Sequence, residues 1–224
     1  MATTALKAEP IHYTFPEQLD LEARDLDLEK HSIELRTIRI VPVLATFEDR
    51  TPQSGPKTAL GVYKGLNFQG MTLIKAGVGV DGDIISGVVP YSRQNTVGLP
   101  IVPLGGVGAA ITTTYAGSNA VSFDLNSLWF GCVLGTVDNV VSAPINCKIA
   151  VGGYDGTGKR IGFEQFIFTP PALSLRANMI QARFDNTFKG VSRVVITTTY
   201  ESIRQLGVTL MDNIDYIVSA NITK

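Results

Sequence analysis

The chain is poor in charged residues. Asp, Glu, Lys and Arg make up 17% of its 224 residues, and 19 basic against 20 acidic residues leave a net charge of −1. A protein that binds nucleic acid or an anionic membrane usually carries a basic patch, and this composition predicts none. No apolar run approaches the ~18 residues of a membrane-spanning helix. We therefore expect no nucleic-acid partner and no membrane span.

Histidine and cysteine are also scarce, with two of each. His12 and His31 lie far along the chain from Cys132 and Cys147, so the sequence predicts no zinc cluster. It contains no G-x-S-x-G motif, and neither histidine has a Ser or Cys partner nearby, which argues against a nucleophilic triad. A glycosidase carboxylate pair stays open, because spacing alone cannot select two acids at the required separation. The available acids are Asp124, Asp155, Glu164, Asp185, Asp212 and Asp215.

Short apolar-alternating runs, broken by Gly, Pro, Asp and Asn, fill the chain from Ile38 onward. In the last run one parity is wholly apolar, and the other carries the polar residues Asn213, Asp215, Ser219 and Asn221. The apolar set is Ile214, Tyr216, Val218, Ala220 and Ile222. This period of two is typical of half-buried antiparallel strands. We predict an all-β protein, an antiparallel β-sandwich of jelly-roll type.

The composition divides the chain into two parts. Residues 1–36 form an acidic N-terminal region, which is either a short amphipathic helix or an extended arm, and residues 37–224 form one β-sandwich domain. Within the domain, the turn residues of Tyr154–Gly158 predict a hairpin. Ile161 and Phe163 share a parity that Phe166 and Phe168 break, which predicts a bulge or a strand break near Glu164 and Gln165.

Cys132 and Cys147 lie at the end of one predicted strand and the start of the next. A pair of cysteines that flanks one long connection is typical of secreted β-domains, so we expect a disulfide. The alternative is two buried thiols in a reducing compartment. The opening residues MATTALKAEP contain no apolar segment. We therefore expect a secreted protein whose signal peptide is absent from this chain.

Small-molecule recognition is predicted in two polar clusters and at one tryptophan. The first cluster combines an aromatic ring, a cation and amides in a Gly/Pro-rich region, as do pocket mouths. Trp129 has the opposite parity to core residues such as Phe130, so it faces a ligand or is covered, for instance by the N-terminal arm. We predict Tyr91, Arg93 and Gln94 as catalytic donors and Tyr63, Lys64, Asn67, Asn95 and Trp129 as substrate-binding residues.

Asp212 and Asn213 stand at the entry to the last strand. In some β-sandwich carbohydrate modules a carboxylate and an amide at this position, with loop carbonyls, hold a structural Ca²⁺ ion. The alternative is a turn or a buried hydrogen bond that closes the sheet. A structural calcium is thus one interpretation, and no other cofactor is expected.

Several motifs together resemble a widespread group of small fungal secreted proteins with jelly-roll or galactose-binding-like β-sandwich folds. They are YKGLNFQG, FDLNSLWFGC, CKIAVGGYDGTGK, ARFDNTFKGVSRVVI and LMDNIDYIV. The resemblance covers residues 60–220. Some members of this group are hetero-Diels–Alderases in fungal pathways to tropolonic sesquiterpenes. They join a humulene-type olefin to a tropolone ortho-quinone methide.

Two hypotheses follow. The resemblance implies a pericyclase that needs no cofactor or nucleophile, because holding two hydrophobic substrates together and donating a hydrogen bond to the electron-poor one is sufficient. The alternative is a glycan-binding or cell-wall module without turnover, supported by Trp129 and the calcium position. Homodimer formation stays open.

Overall fold

In the computed structural model, residues 38–51, 59–75, 87–99, 108–134, 143–201 and 207–222 are described. The N-terminal region predicted as a helix or an arm lies outside these residues. Thirteen strands account for most of them. The strands are β1 (Ile38–Ala45), β2 (Ala59–Tyr63), β3 (Leu66–Lys75), β4 (Gly87–Val89), β5 (Asn95–Leu99), β6 (Ala109–Thr112), β7 (Ala120–Leu134), β8 (Cys147–Tyr154), β9 (Arg160–Phe168), β10 (Arg176–Asn178), β11 (Ile180–Arg183), β12 (Arg193–Tyr200) and β13 (Gly207–Asn221).

The fold prediction is confirmed. Eleven strands form one antiparallel sheet in the order β11-β7-β13-β5-β3-β6-β12-β8-β9, with β1 beside β13 and β2 beside β3. The sheet curves over the core until Phe168 of β9 meets Phe130 of β7, with ring centroids 6.3 Å apart. The strands β4 and β10 form a separate parallel pair. No described helix is long and apolar enough to cross a membrane.

The long strand β13 pairs with three other strands. One of its edges pairs with β7, and the other pairs first with β5 and then with β1. Its even-numbered residues Ile214, Tyr216, Val218 and Ala220 are buried and the residues between them are partly exposed, as the alternation predicts. The register of β13 against β7 shifts between Asp212 and Asp215 and again between Asp215 and Tyr216. Asn213 in this bulge has a φ of 47°, a left-handed conformation that asparagine tolerates better than most residues.

The hairpin at Tyr154–Gly158 also forms. The Asp155 N–H donates to the Lys159 carbonyl at 2.9 Å, and Gly158 has a φ of 82°. The bulge predicted near Glu164 is wrong, because β8 and β9 pair without interruption there and shift register only beside Tyr154. Phe163 simply faces solvent, with the guanidinium of Arg160 5.2 Å from its ring centroid. An exposed aromatic residue produced the false change of parity.

The predicted disulfide is present. Cys132 and Cys147 are bonded, their Cα atoms lie 6.2 Å apart, and both side chains are buried. The bond connects β7 and β8, which are not hydrogen-bonded neighbours in the sheet. The bond reinforces the hydrogen bonds by which the segment before β8 already contacts β7, such as the Ile145 N–H to the Cys132 carbonyl at 2.9 Å.

Candidate functional site

The loop Tyr91–Asn95, called the anchored loop below, is held by two carboxylates from distant parts of the chain. The Ser92 N–H donates to Asp212 Oδ2 at 2.6 Å. The N–H groups of Gln94 and Asn95 both donate to Glu48 Oε1, each at 2.9 Å. Backbone donors to carboxylates are strong hydrogen bonds. The segment that follows β1 and the middle of β13 therefore fix the conformation of this loop.

Three acceptor groups surround the Ser92 hydroxyl, and we call these three groups and the hydroxyl the oxygen cluster. Ser92 Oγ lies 3.0 Å from Asp212 Oδ1, 3.2 Å from Glu48 Oε1 and 3.3 Å from the Thr46 carbonyl oxygen. A hydroxyl carries one hydrogen, so it can donate to only one of these three acceptors. The remaining hydrogen bonds of the two carboxylates come from backbone N–H groups.

Burial adds to the electrostatic cost at this cluster. Asp212 has no solvent-exposed surface, and burial raises the pKa of its carboxyl group. The Ser92 hydrogen bonds and the Asn213 N–H, 2.7 Å from Asp212 Oδ1, act in the opposite direction, while the charge of Glu48 adds to the increase. The side-chain oxygen of Asn213 is buried and has no hydrogen-bond partner among the described residues.

These oxygen ligands fit the calcium interpretation made for Asp212. A hard cation binds carboxylate, carbonyl and hydroxyl oxygens, and it would neutralise the negative charge of the two carboxylates. Glu48 Oε1, Asp212 Oδ1, Ser92 Oγ and the Thr46 carbonyl would hold the ion. The described residues include no group of three or more His, Cys, Asp or Glu side chains, so any ion would depend on neutral oxygens as well.

The anchored loop also brings together two residues predicted for ligand binding. The ring of Tyr91 lies flat on that of Trp129, with centroids 3.9 Å apart and planes 17° apart. Strand pairing explains this contact, because Trp129 lies directly opposite Asp212 in the β7–β13 register. Paired residues point to the same face of a sheet. Two consecutive loop residues therefore contact two residues that are paired across neighbouring strands: Tyr91 covers Trp129, and Ser92 binds Asp212.

Among the described residues, Tyr91 covers one face of Trp129. As its parity predicts, Trp129 is only partly buried, while its neighbours Leu128 and Phe130 lie in the core. One of its faces is occupied by Tyr91, whose own side chain is 56% exposed. The accessible aromatic surface at this site is therefore the outer face of Tyr91.

The remaining predicted residues have different environments. Arg93 is exposed, and Gln94 is partly buried beside it. Asn95 is buried, and its amide donates to the carbonyls of Phe47 at 3.1 Å and Arg50 at 2.8 Å. Because its N–H groups serve internal contacts, we do not include Asn95 in the proposed ligand surface.

The second predicted cluster lies on the β2–β3 hairpin. Tyr63 is a core residue whose hydroxyl donates to Asp49, while Asn67 is partly buried within β3. Lys64 is exposed, and its Nζ donates to the Leu44 carbonyl at 2.9 Å. None of these three residues takes part in the aromatic pair or in the hydrogen bonds described above for the anchored loop.

Sequence reasoning did not identify Glu48 and Ser92. Glu48 follows the buried Phe47, three residues after the end of β1, and its sequence context is also typical of an ordinary solvated turn. The Ser92–Glu48 contact joins residues 44 positions apart, and the Ser92–Asp212 contact joins residues 120 positions apart. No local pattern reports such pairings.

Comparison with known proteins gives no family. No family model matches the chain, and no curated protein matches it either. Among solved structures, it is similar to a DUF4465 family protein from Bacteroides caccae, with 15% identity, a TM-score of 0.48 and coverage of 78% of this chain and 98% of that chain.

Two further similarities are weaker. A C-terminal family 22 carbohydrate-binding module from Clostridium thermocellum has 10% identity and a TM-score of 0.39, covering 81% of this chain and 95% of that one. A cyclase from Fischerella sp. TAU has the same identity and TM-score, covering 84% and 100%. At these scores we draw no inference about activity from them.

Proposed function

We propose that the protein is a cofactor-independent pericyclase that binds a flat hydrophobic substrate at the aromatic pair. The observation that carries the proposal is the exposed Tyr91 ring, stacked on Trp129 and held there by the anchored loop. The motif resemblance suggests the reaction: a hetero-Diels–Alder coupling of a humulene-type olefin with a tropolone quinone methide.

The geometry suits this chemistry in two ways. A quinone methide stacked on the outer face of Tyr91 is shielded on that face, so the olefin adds from the other side. Arg93 follows Tyr91 by two residues and is exposed. Its guanidinium would donate a hydrogen bond to the carbonyl oxygen, which gathers negative charge in the transition state. Gln94 is the second donor. The addition forms one carbon–carbon and one carbon–oxygen bond and requires no nucleophile.

The experiment measures rate and stereochemistry together. Humulenol and a quinone-methide precursor are incubated with the protein, and the adducts are separated by chiral chromatography. We expect Tyr91→Ala to lose facial selectivity and Arg93→Met to lower the rate by about tenfold or more. Arg193→Met, which removes an exposed arginine on β12, is the matched control. An adduct mixture identical to the uncatalysed one would overturn the proposal.

A glycan-binding module is the second candidate. An exposed tyrosine ring supported from behind by tryptophan also suits stacking against the apolar face of a sugar. The oxygen cluster beside it offers a place for a structural calcium. Binding on a glycan array that is lost in Tyr91→Ala, with no acceleration of the cycloaddition, would favour this candidate over the pericyclase.

We also propose a secreted location. The Cys132–Cys147 bond supports it, because disulfides persist in oxidising compartments and are rare in the cytosol. Detection of the mature protein in culture medium of its native host, with the disulfide intact by mass spectrometry, tests this assignment. Recovery only from the cytosol, with both thiols reduced, would refute it.

A further inference from the structure

A groove of about 540 Å³ lies beside β1, and none of its lining residues belongs to the anchored loop or the aromatic pair. Its apolar walls include Val41 and Val43 of β1 and Val218 and Ala220 of β13. Val41 lies opposite Val218 in the β1–β13 register, so these side chains share one face. The volume is in the range of small-molecule sites.

The charged residues in the described lining of this groove are both basic. Arg39 and Lys64 line it, and no described lining residue is acidic. Asp215 lies opposite Leu44, whereas the groove residue Val43 lies opposite Tyr216. Because successive residues alternate between faces, the Asp215 side chain points away from the groove. An apolar groove with two cations and no lining carboxylate is complementary to a hydrophobic anion.

Lys64 occupies a strained backbone position. Tyr63 pairs with Leu66, which leaves Lys64 and Gly65 as a two-residue hairpin turn, with φ values of 45° and 85°. Such turns favour Asn, Asp or Gly at the first position, and a lysine there is unusual. Backbone strain in a non-glycine residue commonly accompanies function. The choice of lysine thus calls for an explanation beyond turn formation.

The surroundings hold this lysine at the end of the groove. The buried Tyr216 hydroxyl donates to the Lys64 carbonyl at 3.0 Å, and Lys64 Nζ lies 5.3 Å from the Tyr63 ring centroid. The Nζ donates to the Leu44 carbonyl at 2.9 Å, which is one of its three N–H bonds, and it makes no other hydrogen bond to the residues that the structure describes. Asp49 accepts from the Tyr63 hydroxyl.

We propose that the groove binds an elongated hydrophobic molecule with an ionised acid group, and that Lys64 holds the acid. Arg39 marks the far end, because it lies five residues from Leu44 along β1, or roughly 17 Å at ~3.3 Å per residue. The chain of the ligand lies between these ends against Val41, Val43 and Val218. This site is independent of the proposed pericyclase, since it uses none of the same residues.

Titration calorimetry of the whole chain with decanoate and with decanol tests the acid directly, because the two probes share a tail. We expect decanoate to bind at least tenfold more tightly than decanol. Lys64→Asn should remove that preference while leaving decanol binding and the melting temperature nearly unchanged, because asparagine suits the turn. Arg39→Met should weaken decanoate binding less.

Three controls make the outcomes distinct. Lys148→Met removes an exposed lysine on β8 and should change nothing. Val41→Trp fills the groove and should weaken both probes, provided that its melting curve shows a folded protein. Tyr91→Ala should leave decanoate binding intact even if it abolishes cycloaddition. Equal affinity for the acid and the alcohol, no binding of either, or unchanged decanoate binding in folded Lys64→Asn would each overturn the proposal.

Discussion

Breaking the Cys132–Cys147 bond should lower the free energy of unfolding by about 3 kcal/mol. The bond closes a loop with a sequence separation of 15, and in the chain-entropy model a loop of about 15 residues contributes about this amount. For a domain of this size, 1 kcal/mol corresponds to about 2–4 °C in melting temperature. We therefore expect a decrease of about 6–12 °C on reduction.

Two forms of the protein separate the crosslink from packing. Wild-type protein reduced while unfolded, then refolded with reductant, keeps both sulfur atoms and loses only the bond. The Cys132→Ala, Cys147→Ala double variant also loses sulfur atoms from a buried site, so it should melt lower still. Thermal unfolding followed by circular dichroism gives the melting temperatures, and alkylation with intact mass gives the thiol count.

The result that refutes this reasoning is clear. Reduced wild type that melts within 2 °C of the oxidised protein, with two alkylated thiols verified by mass, would show that the bond does not restrict the unfolded chain as the loop model requires. A double variant that melts at the same temperature as the reduced wild type would show instead that the sulfur atoms add nothing by packing.

Two further predictions concern stability. Because burial raises the folded-state pKa of Asp212 above its unfolded value, the metal-free protein should lose stability as pH rises from about 4 through that raised pKa. In urea titrations at a series of pH values, Asp212→Asn should remove this dependence of stability on pH. A wild-type protein that gains stability with pH in that window would contradict the prediction. Gly158→Ala should cost about 1 kcal/mol because of its φ of 82°, whereas Gly156→Ala, with open space around it, should be nearly neutral, and equal effects in thermal unfolding would refute the conformational argument.

Strands were predictable from the sequence where one face of the strand is buried and the other is exposed to solvent. The residues of β13 from Ile214 to Ala220 alternate in the sequence and in the structure because this strand has one core face. The same rule failed at Phe163, an apolar residue on the solvent face of β9. Hydrophobicity indicates burial only on average, since much of any protein surface is apolar.

The candidate site was predictable only in part. Composition identified Tyr91 and parity identified Trp129, but their contact depends on which residue of β13 lies opposite Trp129. That register follows from the packing of whole strands and from the bulge at Asn213. The role of Glu48 depends on a loop that passes near it only in the folded chain. Such long-range pairings leave no periodic trace.

The last prediction follows from the direct connection between the oxygen cluster and the aromatic pair. Ser92 binds Asp212, and the preceding residue, Tyr91, stacks on Trp129. An ion bound by Glu48 and Asp212 would use the same carboxylates that accept the hydrogen bonds of this loop, so it should alter the stacking of Tyr91 on Trp129. Trp129 is the only tryptophan in the chain, and its fluorescence therefore reports on this contact alone.

We expect calcium to raise the melting temperature and to change the emission of Trp129, and a chelator to reverse both effects. Asp212→Asn should abolish both responses, because it removes a ligand of the ion. Tyr91→Ala should keep the change in melting temperature and lose most of the change in emission, because the ion still binds but no ring lies on the tryptophan. If calcium raises the melting temperature while Trp129 emission stays constant in the wild type, the ion and the aromatic pair are uncoupled. By linkage, a ligand that stacks on Tyr91 would then bind equally well with and without calcium.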